Sequence, residues 1–129
     1  MKEPMKISDI QEEFGLIRGR DAIYFDKCNS LSESFIDITF SIDTTKCSSH
    51  IKSENYIPMR VKSYGVIFFK MHDIEMLPRT EVKSCIDEIV DSDIIRENVE
   101  TKPLKHIVIT SYDAVFEFVC TDMDFQLIV

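Results

Sequence analysis

The sequence predicts an α+β fold: a single domain over residues 1–129, mainly an antiparallel β-sheet of about five to seven strands, with a main helix over about 84–98 and a short N-terminal helix over about 8–14. Three observations predict it. Short stretches alternate apolar with polar residues, the period of half-buried strands. One stretch near residue 90 changes to the three- and four-residue spacing of a helix. And 129 residues that are 44% apolar, with nine Phe against three Gly and four Pro, are enough for one folded core and too few for two comfortable ones.

Taken in order, Ser8 with Gln11 has the form of a capping box and Gly15 that of a left-handed helix end, with Ile7, Ile10 and Phe14 on one side. Gly15 to Arg20 reads as a turn and Ala22 to Phe25 as a short strand. Phe35 to Ile42 is the cleanest alternation, with Ile36, Ile38, Phe40 and Ile42 on one face and Asp37, Thr39 and Ser41 on a solvent-facing one. Thr44 to Asn55 reads as a loop. Tyr56 to Lys62 reads as an edge strand, because Pro58 has no N–H for a ladder. Val66 to Met76 is apolar on both faces before it alternates, as a central strand would be. From Ser84 to Asn98 the recurrence of Ile86, Ile89, Val90 and Ile94 predicts the main helix. His106 to Ser111, Ala114 to Thr121 and Phe125 to Val129 complete the strands, with turns at 112–113 and 122–124.

Composition bounds the function. No apolar run approaches the roughly 18 residues of a membrane span, and the N-terminal stretch carries Glu3 and Pro4 where a secretion signal needs apolar residues. The expected location is the cytosol, where Cys28, Cys47, Cys85 and Cys120, irregularly spaced and without a C-x-x-C, are expected to be reduced. The net charge is -8, and it is lopsided: residues 1–69 hold 9 basic and 10 acidic groups, residues 70–129 hold 6 and 13. That balance disfavours direct binding to a phosphate backbone, which relies on Lys and Arg, and favours a basic protein partner.

Catalytic and ligand signatures are absent. GLIRGR lacks the phosphate-loop spacing, no G-x-S-x-G occurs, and His50, His72 and His106 stand apart from one another. Asp73 with Glu75, and Asp122 with Asp124, are i, i+2 carboxylate pairs, but neither has the oxygen-rich loop a metal would need. Accordingly no cofactor, metal or catalytic residue is predicted, and the reading points away from an enzyme. Partner contacts are predicted on the acidic side of the expected helix, at Asp87, Glu88, Asp91, Asp93 and Glu97, with Glu75, Asp122 and Asp124 as additions.

A small, acidic, Trp-free α+β chain with no catalytic motif resembles the immunity proteins that neutralise bacterial nucleases and other effector toxins. The resemblance lies in size, charge and texture across the whole chain, and it carries over no family residues. It implies a protein-binding inhibitor that occludes the basic cleft of its partner, carboxylates standing where phosphates would be. The alternative, from another class, is a small ligand-binding or enzymatic domain whose site is assembled from distant residues including His72 and His106.

Overall fold

The structure, a computed structural model, describes residues 4–49, 55–73, 83–90, 92–97, 103–112 and 114–128. Its elements in chain order are α1 (Ile7–Phe14), β1 (Ile23–Leu31), β2 (Phe35–Asp43), a 3-10 turn at Thr44–Lys46, β3 (Tyr56–Tyr64), β4 (Phe68–Asp73), β5 (Ile86–Glu88), α2 (Asp93–Glu97), β6 (Lys105–Thr110), β7 (Ala114–Cys120) and β8 (Asp122–Leu127). The α+β class stands, with eight strands and two helices among the described residues. They form two antiparallel four-stranded sheets, ordered β1-β2-β3-β8 and β4-β7-β6-β5.

The sheets are joined at one corner. β3 pairs with β8 in the first sheet and β4 with β7 in the second, so one two-stranded ribbon runs through both and bends between them. The bend falls at Gly65 on one strand and Thr121 on the other, where the Thr121 N–H and hydroxyl both donate to the Tyr64 carbonyl (3.0 and 3.1 Å). Gly65 has φ +60, and a Cβ placed there would run into the Thr121 side chain, so only glycine lets the two backbones come this close. The turn expected at 122–124 is therefore compressed to Thr121, and Asp122 and Asp124 belong to β8.

Folding the ribbon sets the apolar faces together. Phe40 of β2 meets Phe116 of β7 edge to face, ring centres 5.2 Å apart, and a single apolar cluster draws on both sheets and α1. α1 buries Ile7, Ile10 and Phe14 and packs against both β5 and β8. Its start is not Ser8: the chain enters the helix at Lys6, whose N–H donates to the Asp9 carboxylate (2.9 Å). Gly15 closes it at a positive φ, +67, but its ψ of -142 is not that of the left-handed end expected, and its N–H instead completes the helical bond to the Gln11 carbonyl. Just ahead of α1, Met5 exchanges both backbone hydrogen bonds with Phe125 (2.7 and 2.8 Å) and so covers the outer edge of β8.

Several expectations are corrected. Among the described residues, the helix expected over 84–98 survives only as α2. Ile86 lies in β5 opposite Ile109 in the core, while Ile89 packs on the other side of the sheet with Val108 and Val115. Residues three apart share a face of a helix but lie on opposite faces of a strand, so this spacing equally describes a strand buried on both sides. Among the described residues the longer helix is thus the N-terminal one. β3 is interior rather than an edge. The Pro58 carbonyl accepts from Ile128 N–H (2.9 Å), so its missing N–H also points to the β8 side, just past the end of β8. β4 is an edge rather than a central strand, and residues 74–76 of the expected strand lie outside the described residues. The polar face of β2 is not open to solvent: Arg60 and Asn29 lie over Asp37 and Thr39, which are 3% and 4% exposed.

Candidate functional site

The two lateral seams between the sheets are treated differently. At the β5/β8 seam α1 acts as a plug, with Met5 along the β8 edge. At the β1/β4 seam both edge strands send an aromatic ring onto Phe116, Phe25 at 5.4 Å and Phe69 at 6.4 Å between centres, yet no described element covers the gap. Several inward-facing side chains of both edges remain in solvent, Phe25 at 45% exposed, Leu31 at 65% and Met71 at 61%, and Ile67, just ahead of β4, is 50% exposed. Their direction follows from register, since Phe25 pairs with Phe40, Leu31 with Ile36 and Met71 with Phe116. Cys28, opposite core Ile38, is exposed on the same strip. Side chains that sheet geometry aims at a core and leaves wet form an apolar strip of the kind that marks an interaction surface.

β1 carries its own restraint. Register shifts at Asp26 and Asn29 interrupt its pairing with β2, and Lys27 stands between them. Bulges and a lysine on an edge strand discourage indiscriminate pairing with other strands. β4 pairs with β7 without a shift, and its other edge has no partner among the described strands.

A second constellation lies on the outer face of the β4-β7-β6-β5 sheet. Glu117 of β7 stands between two histidines: its Oε2 meets His72 Nε2 at 2.8 Å and its Oε1 meets His106 Nε2 at 3.0 Å. On the far side, His106 Nδ1 meets Ser92 Oγ at 2.7 Å, and that oxygen accepts the Ile95 N–H (3.3 Å), which caps α2. His72 Nδ1 faces the Asp73 carbonyl at 3.1 Å. Hydrogen bonds from His106 first, and from His72, outweigh partial burial and hold the Glu117 carboxyl below its ordinary range. Glu117 is therefore an anion that only accepts, so both Nε2 atoms carry protons.

The order Ser92, His106, Glu117 has the hydrogen-bond sequence of a nucleophile relay. Here, however, Ser92 is 4% exposed and its oxygen is engaged in the helix cap, so the arrangement as it stands anchors α2 to the sheet. Nor do the nitrogens converge as metal ligands, since each points at a separate oxygen of Glu117; no group of three or more metal-ligating side chains forms among the described residues. Glu117 gave no signal in the sequence. Its link to His72 and His106 spans 45 and 11 residues and exists only through the pairing of β4, β7 and β6.

The carboxylates singled out as partner contacts do not share a helix face. Asp87 and Glu88 lie in β5, and the Asp87 carboxylate accepts the N–H groups of Lys83 (2.7 Å) and Glu88 (2.9 Å). Asp93 is paired with Arg96 within α2, and Glu97 is the last residue of that helix. Asp122 and Asp124 both hold Lys6, at 2.8 and 2.5 Å, which ties the N-terminal segment to β8. Asp91 and Glu75 lie outside the described residues.

Comparison with protein-family models, with curated proteins and with solved structures found no match to this chain. Among the described residues no helix is long and apolar enough to cross a membrane.

Proposed function

We propose that this chain is a protein-binding domain that acts by occupying its partner, as the toxin-neutralising immunity proteins do, with the β1/β4 seam as its contact surface. The observation that carries the reading is the strip of inward-aimed but exposed side chains, Phe25, Leu31 and Met71, at one seam of a sandwich whose other seam is plugged. Anchoring aromatic and Met side chains dominate protein interfaces and gain most where a partner excludes water from them. The net charge of -8 adds long-range attraction for a basic partner, such as a toxin domain.

The test is capture from the native cell at low salt, followed by titration of the identified partner with purified wild type and with a Phe25→Ser/Met71→Ser double variant. The expected result is an affinity loss of 100-fold or more, on the order of 3 kcal/mol, with an unchanged fold by circular dichroism. Unaltered affinity removes the seam from the interface.

A second reading is favoured by the convergence of His72 and His106 on Glu117: a small-molecule or enzymatic site assembled from distant residues. It is separated from the first by a ligand or activity screen on Glu117→Gln. Loss of a signal in that variant, with partner affinity intact, supports the second reading over the first.

A further inference from the structure

The polar relay on the outer face contains two histidines in different surroundings, and counting protons along it separates them. His72 lies between two groups that only accept, the Asp73 carbonyl and the Glu117 carboxylate, so both of its bonds are made only by the doubly protonated ring. His106 lies between the same carboxylate and the Ser92 hydroxyl, which can either donate or accept. With His106 neutral, the Ser92 hydroxyl donates to Nδ1 while its oxygen accepts the Ile95 N–H. Every group is then satisfied.

A proton on His106 Nδ1 breaks that arrangement. The ring becomes a donor, Ser92 Oγ must accept from both His106 and Ile95, and the hydroxyl hydrogen is left without its partner at a residue 4% exposed. We propose that the relay is a pH-operated latch on α2: charging His106 reverses its hydrogen bond with Ser92, weakens the cap and loosens residues 92–97 from the sheet.

The surrounding charges leave this joint to act. Glu117 of β7 faces His106 directly and His72 of β4 lies across that carboxylate. Lys70 of β4 is exposed, in register with Glu117. Asp87 of β5 is in register with Val108 and its carboxylate is taken up by the Lys83 and Glu88 N–H groups. In α2, Asp93 is paired with Arg96. Glu117 is thus shared by two rings, and the joint that must change its direction is the one to Ser92. α2 depends on that joint, because five residues make too short a helix to persist on their own.

The experiment is amide hydrogen exchange on the intact protein between pH 8 and pH 5, the range in which imidazoles in general charge, corrected for the intrinsic pH dependence of exchange. The expected result is a loss of protection at Ile95 and Arg96 of 10-fold or more toward pH 5, with β2 and β7 unchanged. Ser92→Ala should lower α2 protection at every pH and remove its pH dependence. His106→Gln, which cannot charge, should keep protection flat; should that variant fail to fold, the serine variant decides alone. Flat protection in the wild type, or pH dependence that persists in Ser92→Ala, overturns the latch.

Discussion

Replacing Gly65 by alanine tests the corner that makes two sheets out of one ribbon. The backbone there sits at φ +60, where an L side chain costs about 1–2 kcal/mol. The added methyl would also meet Thr121 Oγ1, and swinging that oxygen aside is not enough, because Thr121 Cγ2 and Cβ would lie at 2.9 and 3.1 Å. Moving Thr121 gives up the hydroxyl bond to the Tyr64 carbonyl, about 1 kcal/mol or less, since the Thr121 N–H also serves that oxygen. The sum is a destabilisation of about 2–3 kcal/mol, or a fall in Tm of roughly 10 °C for a chain of this size. Urea unfolding followed by far-ultraviolet circular dichroism suits a protein without Trp. A cycle with Thr121→Ala sharpens the test: the double variant should recover about 1 kcal/mol relative to the sum of the singles. A loss under about 0.5 kcal/mol for Gly65→Ala, or strict additivity, would refute the close approach at this corner.

Three further outcomes follow from the packing. Asp37→Asn leaves the Arg60 guanidinium without its bidentate carboxylate and should cost about 1–3 kcal/mol, less than for a fully buried pair because the Arg60 side chain is 39% exposed. Arg60 above all, helped by Asn29, holds the Asp37 carboxyl below its ordinary range, so the pair's contribution is complete above the unfolded value near about 4 and is lost as pH falls through the folded one. The variant should therefore flatten the acid limb of a stability curve; an unchanged limb counts against the pair. Ser63 places a hydroxyl in the core with no hydrogen-bond partner among the described residues, so Ser63→Ala should be neutral or stabilise by up to about 1 kcal/mol in urea unfolding, and a clear loss would show the hydroxyl to be satisfied. Among the thiols only Cys28 is exposed, while burial pushes Cys47, Cys85 and Cys120 up to about 11; thiol titration at pH 8 should thus give one fast equivalent and three that await unfolding, and a second fast thiol would contradict the packing.

The antiparallel strands were legible where alternation and turn chemistry agreed, as at β2, β6 and β7. α1 was legible from Ile7, Ile10 and Phe14, although its first residue was misplaced because Asp9 rather than Ser8 supplies the cap. What the sequence could not separate was a helix from a strand buried on both sides, and Ile86 with Ile89 is that case. The division into two sheets was hidden for a related reason. It depends on a sharp bend at Gly65 and Thr121, and a single glycine between two strands announces a turn without saying that the partner strand bends with it. The site residues were legible only in part. His72 and His106 could be named, but the carboxylate between them comes from a strand whose alternation marks Glu117 as nothing more than an outward polar residue.

The acidic balance takes on a different meaning once the internal pairs are placed. Asp37 is paired with Arg60, Asp122 and Asp124 share Lys6, Asp93 is paired with Arg96, and the Asp9, Asp43 and Asp87 carboxylates accept backbone N–H groups. These anions are already engaged within the fold, so a partner would gain less from direct contact with them than from free carboxylates. Their charge still adds to the field, and such a field raises the rate of encounter much more than it slows dissociation. The apolar seam contributes the opposite way, because water excluded from Phe25 and Met71 must return when the complex opens. Added salt should therefore lower the association rate constant with a basic partner while leaving dissociation nearly untouched. Phe25→Ser should raise the dissociation rate at every salt concentration. If instead salt accelerates dissociation and Phe25→Ser leaves it alone, the contact is made by carboxylates after all and the seam is not the interface.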